Sequence, residues 1–90
     1  MWGPTECLTV GILSGGVGNI EKIYNCFTRV HIQVRDLGKI TGEAQTQLKK
    51  LPLVKGLLIR GNEIQLVIGV EAEKLSLECN KHLGFTKAEC

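Results

Sequence analysis

The sequence predicts an α+β fold with the element order αββαββα: a four-stranded, largely antiparallel sheet with three helices on one face, a split α/β sandwich. Residues 30–35 alternate strictly between apolar and polar side chains, which is typical of a strand with one face on a core and one in water. Gly61-Asn62 separates two apolar runs and tolerates the positive φ angles of a tight hairpin. Ninety residues, 43% of them hydrophobic, suffice for one core. We therefore expect one domain over 1–90, with an ordered core at about 4–84.

The first half of the chain is expected to contain one helix and two strands. A helix is predicted over 4–14, because proline suits the first turn and the glycine pair 15–16 can end the helix. Glu6 places a negative charge near its positive end. Residues 20–26 include β-branched and aromatic side chains that favour a strand, although their alternation is imperfect. The strand at 30–35 follows directly.

The second half is expected to contain a helix, two hairpin strands and a last helix, over 40–51, 56–60, 63–69 and 72–83. Thr41 is a candidate N-cap of the first of these helices, and Pro52 closes it. Gly84 stands where a C-terminal glycine commonly ends a helix. Helices and hairpins in this order predict that the helices cover the apolar side of the sheet and that its other side stays open.

Charge and hydropathy exclude two classes of partner. Eleven basic and nine acidic residues leave a net charge of +2, without the basic block usual in nucleic-acid binders. No apolar run approaches the roughly 18 to 20 residues of a membrane helix, and no basic segment precedes an apolar one at the N-terminus. We therefore expect a cytoplasmic protein that does not bind nucleic acid or insert directly into a membrane.

The four cysteines could form two disulfides, but their wide spacings match no zinc pattern and a core of this size does not require bridges. We therefore expect reduced thiols. Cys7 and Cys79 lie on the apolar sides of predicted helices and are interpreted as structural. Cys90 is interpreted as an exposed terminal thiol. No metal or cofactor is expected.

The remaining cysteine opens the run Cys26-Phe27-Thr28-Arg29-Val30-His31, which places a thiol, a hydroxyl and a fixed cation within four residues. A thiol of ordinary pKa, about 8.5, is only a few per cent thiolate near neutral pH, and a nearby arginine favours the anion. The guanidinium can also bind a phosphate through two hydrogen bonds. This run therefore predicts a phosphoryl-transfer site.

Several motifs in one order resemble those of the cysteine-phosphorylated enzyme IIB domain of the glucose family of the bacterial sugar phosphotransferase system. The first is a glycine-rich segment ending in Asn-Ile, and the second resembles the family's Cys-x-Thr-Arg-Leu signature. The last resembles its Gly-x-x-x-Gln strand of aliphatic residues ending in glycine. The matching segments are 15–20, 26–30, 48–51, 54–56 and 61–69.

The resemblance implies a phosphocysteine carrier, and therefore an enzyme, a phosphotransferase. A phosphohistidine IIA domain would phosphorylate Cys26, which would pass the phosphoryl group to a sugar held by the membrane IIC domain. The chain would then lie at the inner face of the membrane with IIC. Residues suited to binding the phosphoryl group are Phe27 through its backbone amide, Thr28, Arg29, His31 and Gln65.

Two positions depart from the family pattern. His31 stands where a second arginine is common, and Tyr24 stands where an acidic residue is common. A solvated role and a site role are equally compatible with His31, as they are with Gln65. Asn19 is interpreted as a brace for the cysteine loop. The alternative function is a regulatory or protein-interaction module that keeps this fold without serving sugar import, and a thiol redox protein is the weaker third interpretation.

Overall fold

The computed structural model describes residues 2–85 and confirms the predicted order of elements. Short 3-10 turns at 17–19 and 37–39 are the only helical additions within that range. The helices are α1 (Pro4–Leu13), α2 (Gly42–Lys49) and α3 (Ala72–Leu83). The strands are β1 (Ile20–Asn25), β2 (Arg29–Val34), β3 (Gly56–Arg60) and β4 (Glu63–Val67).

The four strands form one sheet in the spatial order β1-β2-β4-β3, and each neighbouring pair is antiparallel. The two hairpins therefore meet at their second strands, β2 and β4. In this central pair Ile32 lies opposite Ile64 and His31 lies opposite Gln65. Because successive side chains of a strand point to opposite faces, this register places apolar pairs on one face and polar pairs on the other.

The apolar face of the sheet is buried against the helices. Its central residues, such as Ile32 and Leu66, are fully enclosed and pack with side chains of all three helices in a single cluster. Val10 of α1, Leu48 of α2 and Leu75 of α3 belong to that cluster and are equally inaccessible. Within residues 2–85 no helix covers the opposite face of the sheet, and it is this face that presents the polar side chains of β2 and β4.

The imperfect alternation of the first strand has a structural cause. Ile20 pairs with Val34, but the next paired position of β1 is Lys22, opposite Gln33, so β1 contains a bulge. The extra residue allows Ile20 and Ile23, three positions apart, to enter the core together. A regular strand would place these two side chains on opposite faces.

The predicted caps of α2 and α3 are confirmed, whereas α2 is shorter than the predicted 40–51 and β4 ends at Val67 instead of at residue 69. The Thr41 hydroxyl accepts a hydrogen bond from the Ala44 amide at 3.0 Å and caps α2. Gly84 is left-handed, with φ of +79°, and ends α3. In the hairpin, Gly61 has a φ of +58° whereas Asn62 does not adopt a positive φ. A two-residue hairpin turn with a positive φ only at its first central position favours glycine there, because glycine adopts positive φ without strain.

Two features of the N-terminal region differ from expectation. Trp2 lies outside the predicted core but is almost fully buried, and its indole N–H donates to the Pro52 carbonyl at 2.7 Å. Asn19 does not brace the cysteine loop, since its amide donates to the carbonyls of Ser14 and Asp36. It therefore joins the end of α1 to the end of β2. Phe85, just beyond the predicted ordered core of 4–84, packs partly against the core. The predicted exposed thiol of Cys90 lies outside the described residues.

Cys7 and Cys79 are structural, as expected, and face each other in the core. Their sulfur atoms are 3.2 Å apart, in α1 and α3, and neither residue is accessible to solvent. Burial raises the pKa of both thiols, because the low-dielectric interior disfavours the thiolate. These two cysteines are consequently poor nucleophiles in the folded protein.

The same isoleucine-to-alanine substitution is expected to lower the free energy of unfolding much more inside the core than on the surface. Ile32→Ala should lower the free energy of unfolding by about 2–5 kcal/mol, because it leaves a cavity in a closed core. Ile12→Ala removes the same atoms from a side chain that is 70% exposed, and it should change stability by less than about 0.5 kcal/mol. Urea unfolding of both variants measures the difference, and equal losses would contradict this description of the core.

Candidate functional site

Cys26 lies in the tight turn that joins β1 to β2. The Cys26 amide donates to the Arg29 carbonyl at 3.0 Å, so Phe27 and Thr28 form the tip of the turn. Cys26 itself is half-buried, whereas Phe27 is 96% exposed. Because the Cys26 amide is occupied by this hydrogen bond, an anion at the turn would have to use other amides.

The turn is fixed to the end of β4. The Thr28 carbonyl accepts hydrogen bonds from the amides of Ile68 and Gly69, both at 2.8 Å. Gly69 has a φ of +115°, a conformation that a residue with a Cβ rarely adopts. The backbone at 68–69 thus holds the cysteine turn in a defined position relative to the central strands.

A cavity of about 320 Å³ opens beside the turn on the face of the sheet that carries no helix. All six residues proposed from the sequence line this cavity, so the fold brings them together. One further lining residue, Arg60, was missed: it is the last residue of β3, and only the pairing of β3 with β4 places it here. The lining residues are Cys26, Phe27, Thr28, Arg29, His31, Arg60 and Gln65.

The polar side chains behind the cavity form a hydrogen-bonded network. Arg29 Nη1 donates to Gln65 Oε1 at 3.0 Å, and Gln65 Nε2 donates to Glu63 Oε1 at 3.1 Å. His31 Nδ1 lies 2.7 Å from the same Glu63 oxygen. The Tyr24 hydroxyl donates to Glu63 Oε2. One carboxylate therefore connects side chains of β1, β2 and β4.

His31 and Gln65 are buried in this network, although both stand on the polar side of their strands. His31 is 8% exposed and Gln65 is 6% exposed, so neither has the solvated surface role considered from the sequence. The imidazole stacks on the Tyr24 ring with centroids 4.6 Å apart, and Lys22 Nζ lies 4.8 Å from the centroid of that ring. The two positions that depart from the expected motif, 24 and 31, are therefore in contact with each other.

Glu63 was also missed by sequence reasoning. It alternates with apolar residues like any exposed strand residue, and only the register of the sheet shows that Tyr24, His31 and Gln65 converge on it. Burial raises the pKa of the Glu63 carboxyl, but the hydrogen bonds from those three side chains outweigh this effect. The net result is a pKa below the ordinary value of 4.5, so the carboxylate is ionised near neutral pH.

A second cavity, of about 380 Å³, lies on the other side of the cysteine turn. It is lined by Asn25, Cys26, Phe27 and Glu73. Glu73 is in the first turn of α3 and is exposed, as expected for the polar face of that helix. The cysteine is thus approachable from two sides, one of them carrying arginines and the other a carboxylate.

The side chains at the site favour the binding of an anion. Arg29 and Arg60 supply two guanidinium groups at a cavity that also contains a thiol and a hydroxyl. Across residues 2–85 there is no cluster of three or more His, Cys, Asp or Glu side chains that could hold a metal ion. None of the helices in that range is long and apolar enough to cross a membrane.

Comparisons with known proteins identify the relatives of this chain. Residues 13–40 match the family model described as phosphotransferase system, EIIB. The N-acetylglucosamine-specific EIIB component of Streptomyces coelicolor is 33% identical over 78 residues, which cover 87% of this chain and 94% of that protein. The β-glucoside-specific EIIBCA component of Bacillus subtilis is 31% identical over 74 residues, 82% of this chain. The IIB component GlvB of Escherichia coli is 39% identical over 67 residues, 72% of this chain.

Several of these relatives are much longer than this chain. The aligned region spans 12% of the Bacillus subtilis protein and 40% of GlvB. The fold is also found in the crystal structure of one domain of the PTS system IIabc component from Clostridium difficile. That structure has a TM-score of 0.71 and 18% sequence identity, and it covers 99% of this chain and 94% of the domain.

The network around Glu63 predicts a pH-dependent contribution to stability. A carboxyl whose pKa is lowered by folding stabilises the protein above its unfolded pKa and loses that effect as the pH falls through its folded pKa. The difference in the free energy of unfolding between wild type and Glu63→Gln should therefore be largest near neutral pH and should shrink as the pH falls below 4.5. Urea unfolding at a series of pH values measures it, and a difference that is constant with pH would contradict the assignment.

Proposed function

The chain belongs to the EIIB family of the phosphotransferase system, and on that basis we propose that it is a phosphocysteine carrier with Cys26 as the phosphorylated residue. The observation that supports this most directly is the cavity in which the Cys26 turn meets Arg29, His31 and Gln65. It joins a nucleophile to groups that bind a phosphate, which is what a phosphoryl carrier requires.

In the proposed reaction the Cys26 sulfur attacks the phosphorus atom of a phosphohistidine on a IIA domain. The S–P bond forms as the P–N bond breaks, and the histidine nitrogen leaves. The attacking and leaving atoms are in line, and charge accumulates on the three equatorial oxygens. Catalysis then depends on positioning the sulfur and on stabilising those oxygens with fixed donors.

Arg29 is the principal donor in this scheme. One nitrogen of its guanidinium is bound to Gln65, which holds the group beside the turn. A guanidinium has five N–H donors, so others remain for the phosphoryl oxygens. The Thr28 hydroxyl and the Phe27 and Thr28 amides are further candidates. Arg60 adds a positive charge at the same cavity.

The partners follow from the family. A IIA domain would donate the phosphoryl group, and a sugar bound to a membrane IIC domain would accept it when a sugar hydroxyl displaces the Cys26 sulfur. EIIB is joined to other components in relatives such as the EIIBCA protein of Bacillus subtilis. Phe27, exposed at the tip of the turn, offers an apolar contact next to the reacting sulfur for either partner. In this proposal the chain works on the cytoplasmic face of the membrane.

A regulatory module with this fold remains the second candidate. The observation that favours it is that Tyr24 and His31 are both engaged by Glu63 within the protein. A module that accepts a phosphoryl group without delivering it to sugar would need the residues that receive the group, but not those that transfer it to a sugar. Supplying phosphorylated protein with a IIC domain and its sugar distinguishes the two functions, because only a transport component will form sugar phosphate.

The carrier assignment predicts one phosphoryl group on Cys26. Intact-mass analysis after incubation with phosphoenolpyruvate, the two general phosphocarrier proteins and a glucose-type IIA domain should show one addition. Cys26→Ser should abolish it, whereas Cys90→Ser should retain it because the nucleophile is unchanged. A Cys26→Ser protein that still acquired the phosphoryl group, or wild type that acquired none from several IIA donors, would rule the assignment out.

The role of Arg29 predicts a loss of rate when its planar donor group is removed. Arg29→Lys keeps the charge but loses the fork of donors, so phosphorylation of Cys26 should slow on the order of 100-fold. Arg35→Lys is the matched control, because Arg35 is exposed beyond the end of β2 and should behave as wild type. Rapid-quench measurement with phosphorylated IIA gives both rates, and equal rates would remove Arg29 from the mechanism.

A further inference from the structure

We infer that Arg60 is a second phosphoryl-binding residue, whose guanidinium supplies the net positive charge that stabilises a phosphoryl group on Cys26. This inference rests on the proposed function and deepens it, because Arg60 belongs to β3 and lies far from the cysteine turn along the chain. Three features of Arg60 support it: its position in the sheet, its donors and the charges around it.

Arg60 reaches the site from an edge strand of the sheet. It is the last residue of β3 and pairs with Glu63 of β4, so the two side chains share the face that presents the polar network. Its side chain lines the cavity of about 320 Å³ together with Cys26 and Arg29. Arg60 is exposed, so an anion in the cavity can meet its guanidinium without any rearrangement of the core.

The donors of Arg60 are not used inside the described part of the chain. Within residues 2–85 its guanidinium makes no hydrogen bond or ion pair, although a carboxylate stands opposite it on β4. The oxygens of that Glu63 carboxylate are bound instead by His31, Gln65 and the Tyr24 hydroxyl. A guanidinium is always charged and only donates hydrogen bonds, so these donors remain for a ligand.

The other side chains near the turn whose charge is fixed at neutral pH cancel in pairs. Arg29 is balanced by Glu63, which is ionised because its hydrogen bonds keep the pKa of the carboxyl below its ordinary value. Lys22 of β1, at the edge of the network, is balanced by Glu73, which lines the cavity on the other side of the turn. Arg60 is the remaining charge, and it makes the site positive.

A phosphoryl group requires this charge. Near neutral pH it carries a charge of about −1.5 to −2, and each of its oxygens accepts hydrogen bonds. Arg29 already gives one nitrogen to Gln65, so a second guanidinium supplies donors that a single one does not. Arg60 takes no part in making or breaking bonds: the S–P bond forms as the P–N bond breaks, and Arg60 attracts the oxygens of the transferred group. Its effect is therefore to favour the phosphorylated state of Cys26.

The test observes the phosphoryl group on phosphorylated protein that has been separated from IIA. A nearby positive charge lowers the pKa of an acid, so Arg60→Gln should raise the second pKa of the phosphoryl group by on the order of 0.5 in a 31P NMR titration. Arg60→Lys keeps the charge and should stay close to wild type. Arg35→Gln is the matched control, because it removes the same charge from an exposed residue beyond the end of β2. His31 and Glu63 are present in all four proteins, so their titration is common to the comparison.

A second measurement follows the transfer equilibrium. Intact-mass analysis of mixtures with phosphorylated IIA gives the fraction of each protein that carries the group, and Arg60→Gln should shift the equilibrium toward IIA by about threefold. Arg60→Lys and Arg35→Gln should not shift it.

Each outcome has a defined meaning. Wild-type protein that is never phosphorylated contradicts the proposed function itself. Phosphorylated Arg60→Gln with an unchanged phosphoryl pKa and an unchanged equilibrium overturns this inference alone. So does an Arg60→Gln protein that only needs more IIA for its half-maximal rate, because Arg60 would then contact the surface of the partner. Equal shifts in Arg35→Gln and Arg60→Gln would reveal an effect of overall charge and would also overturn the inference.

Discussion

The antiparallel pairing of β2 with β4 is the constraint on which the rest of the structure depends. Its register sets Ile32 against Ile64 on the face covered by the helices, and His31 against Gln65 on the other face. The same backbone hydrogen bonds therefore align the core and the site. A shift of one residue would exchange the two faces, burying the polar side chains under the helices and exposing the aliphatic ones.

Sequence patterns were sufficient for the order of the elements and for the cysteine motif, because these depend on local signals. Strict alternation marks β2, a capping hydroxyl marks α2, and a glycine pair marks the end of α1. They were insufficient where distant residues decide the outcome. The bulge in β1 depends on which isoleucines the core accepts, and Asn19 finds its partners 5 and 17 residues away.

The contrast between local signals and distant contacts also explains which site residues were predicted and which were missed. Positions 26–31 are neighbours along the chain, and resemblance to a family motif added Gln65 to them. Glu63 and Arg60 reach the site through cross-strand pairing, which a motif does not contain. Tyr24 and His31, which the resemblance marks as departures from the family pattern, are both bound by the Glu63 carboxylate. The two residues are thus neighbours in space, although they lie seven positions apart in the sequence.

The alternation of faces along the sheet has a consequence for how such proteins diversify. Residues 23, 32 and 64 pack in the core, whereas 24, 31 and 63 form the polar network one position away in each strand. Mutations in the second set leave the first set's packing partners in place, so selection can act on the chemistry without repacking the protein interior. The same interior can therefore support different polar side chains on the outer face, provided that residues in contact there, such as 24, 31 and 63, change together.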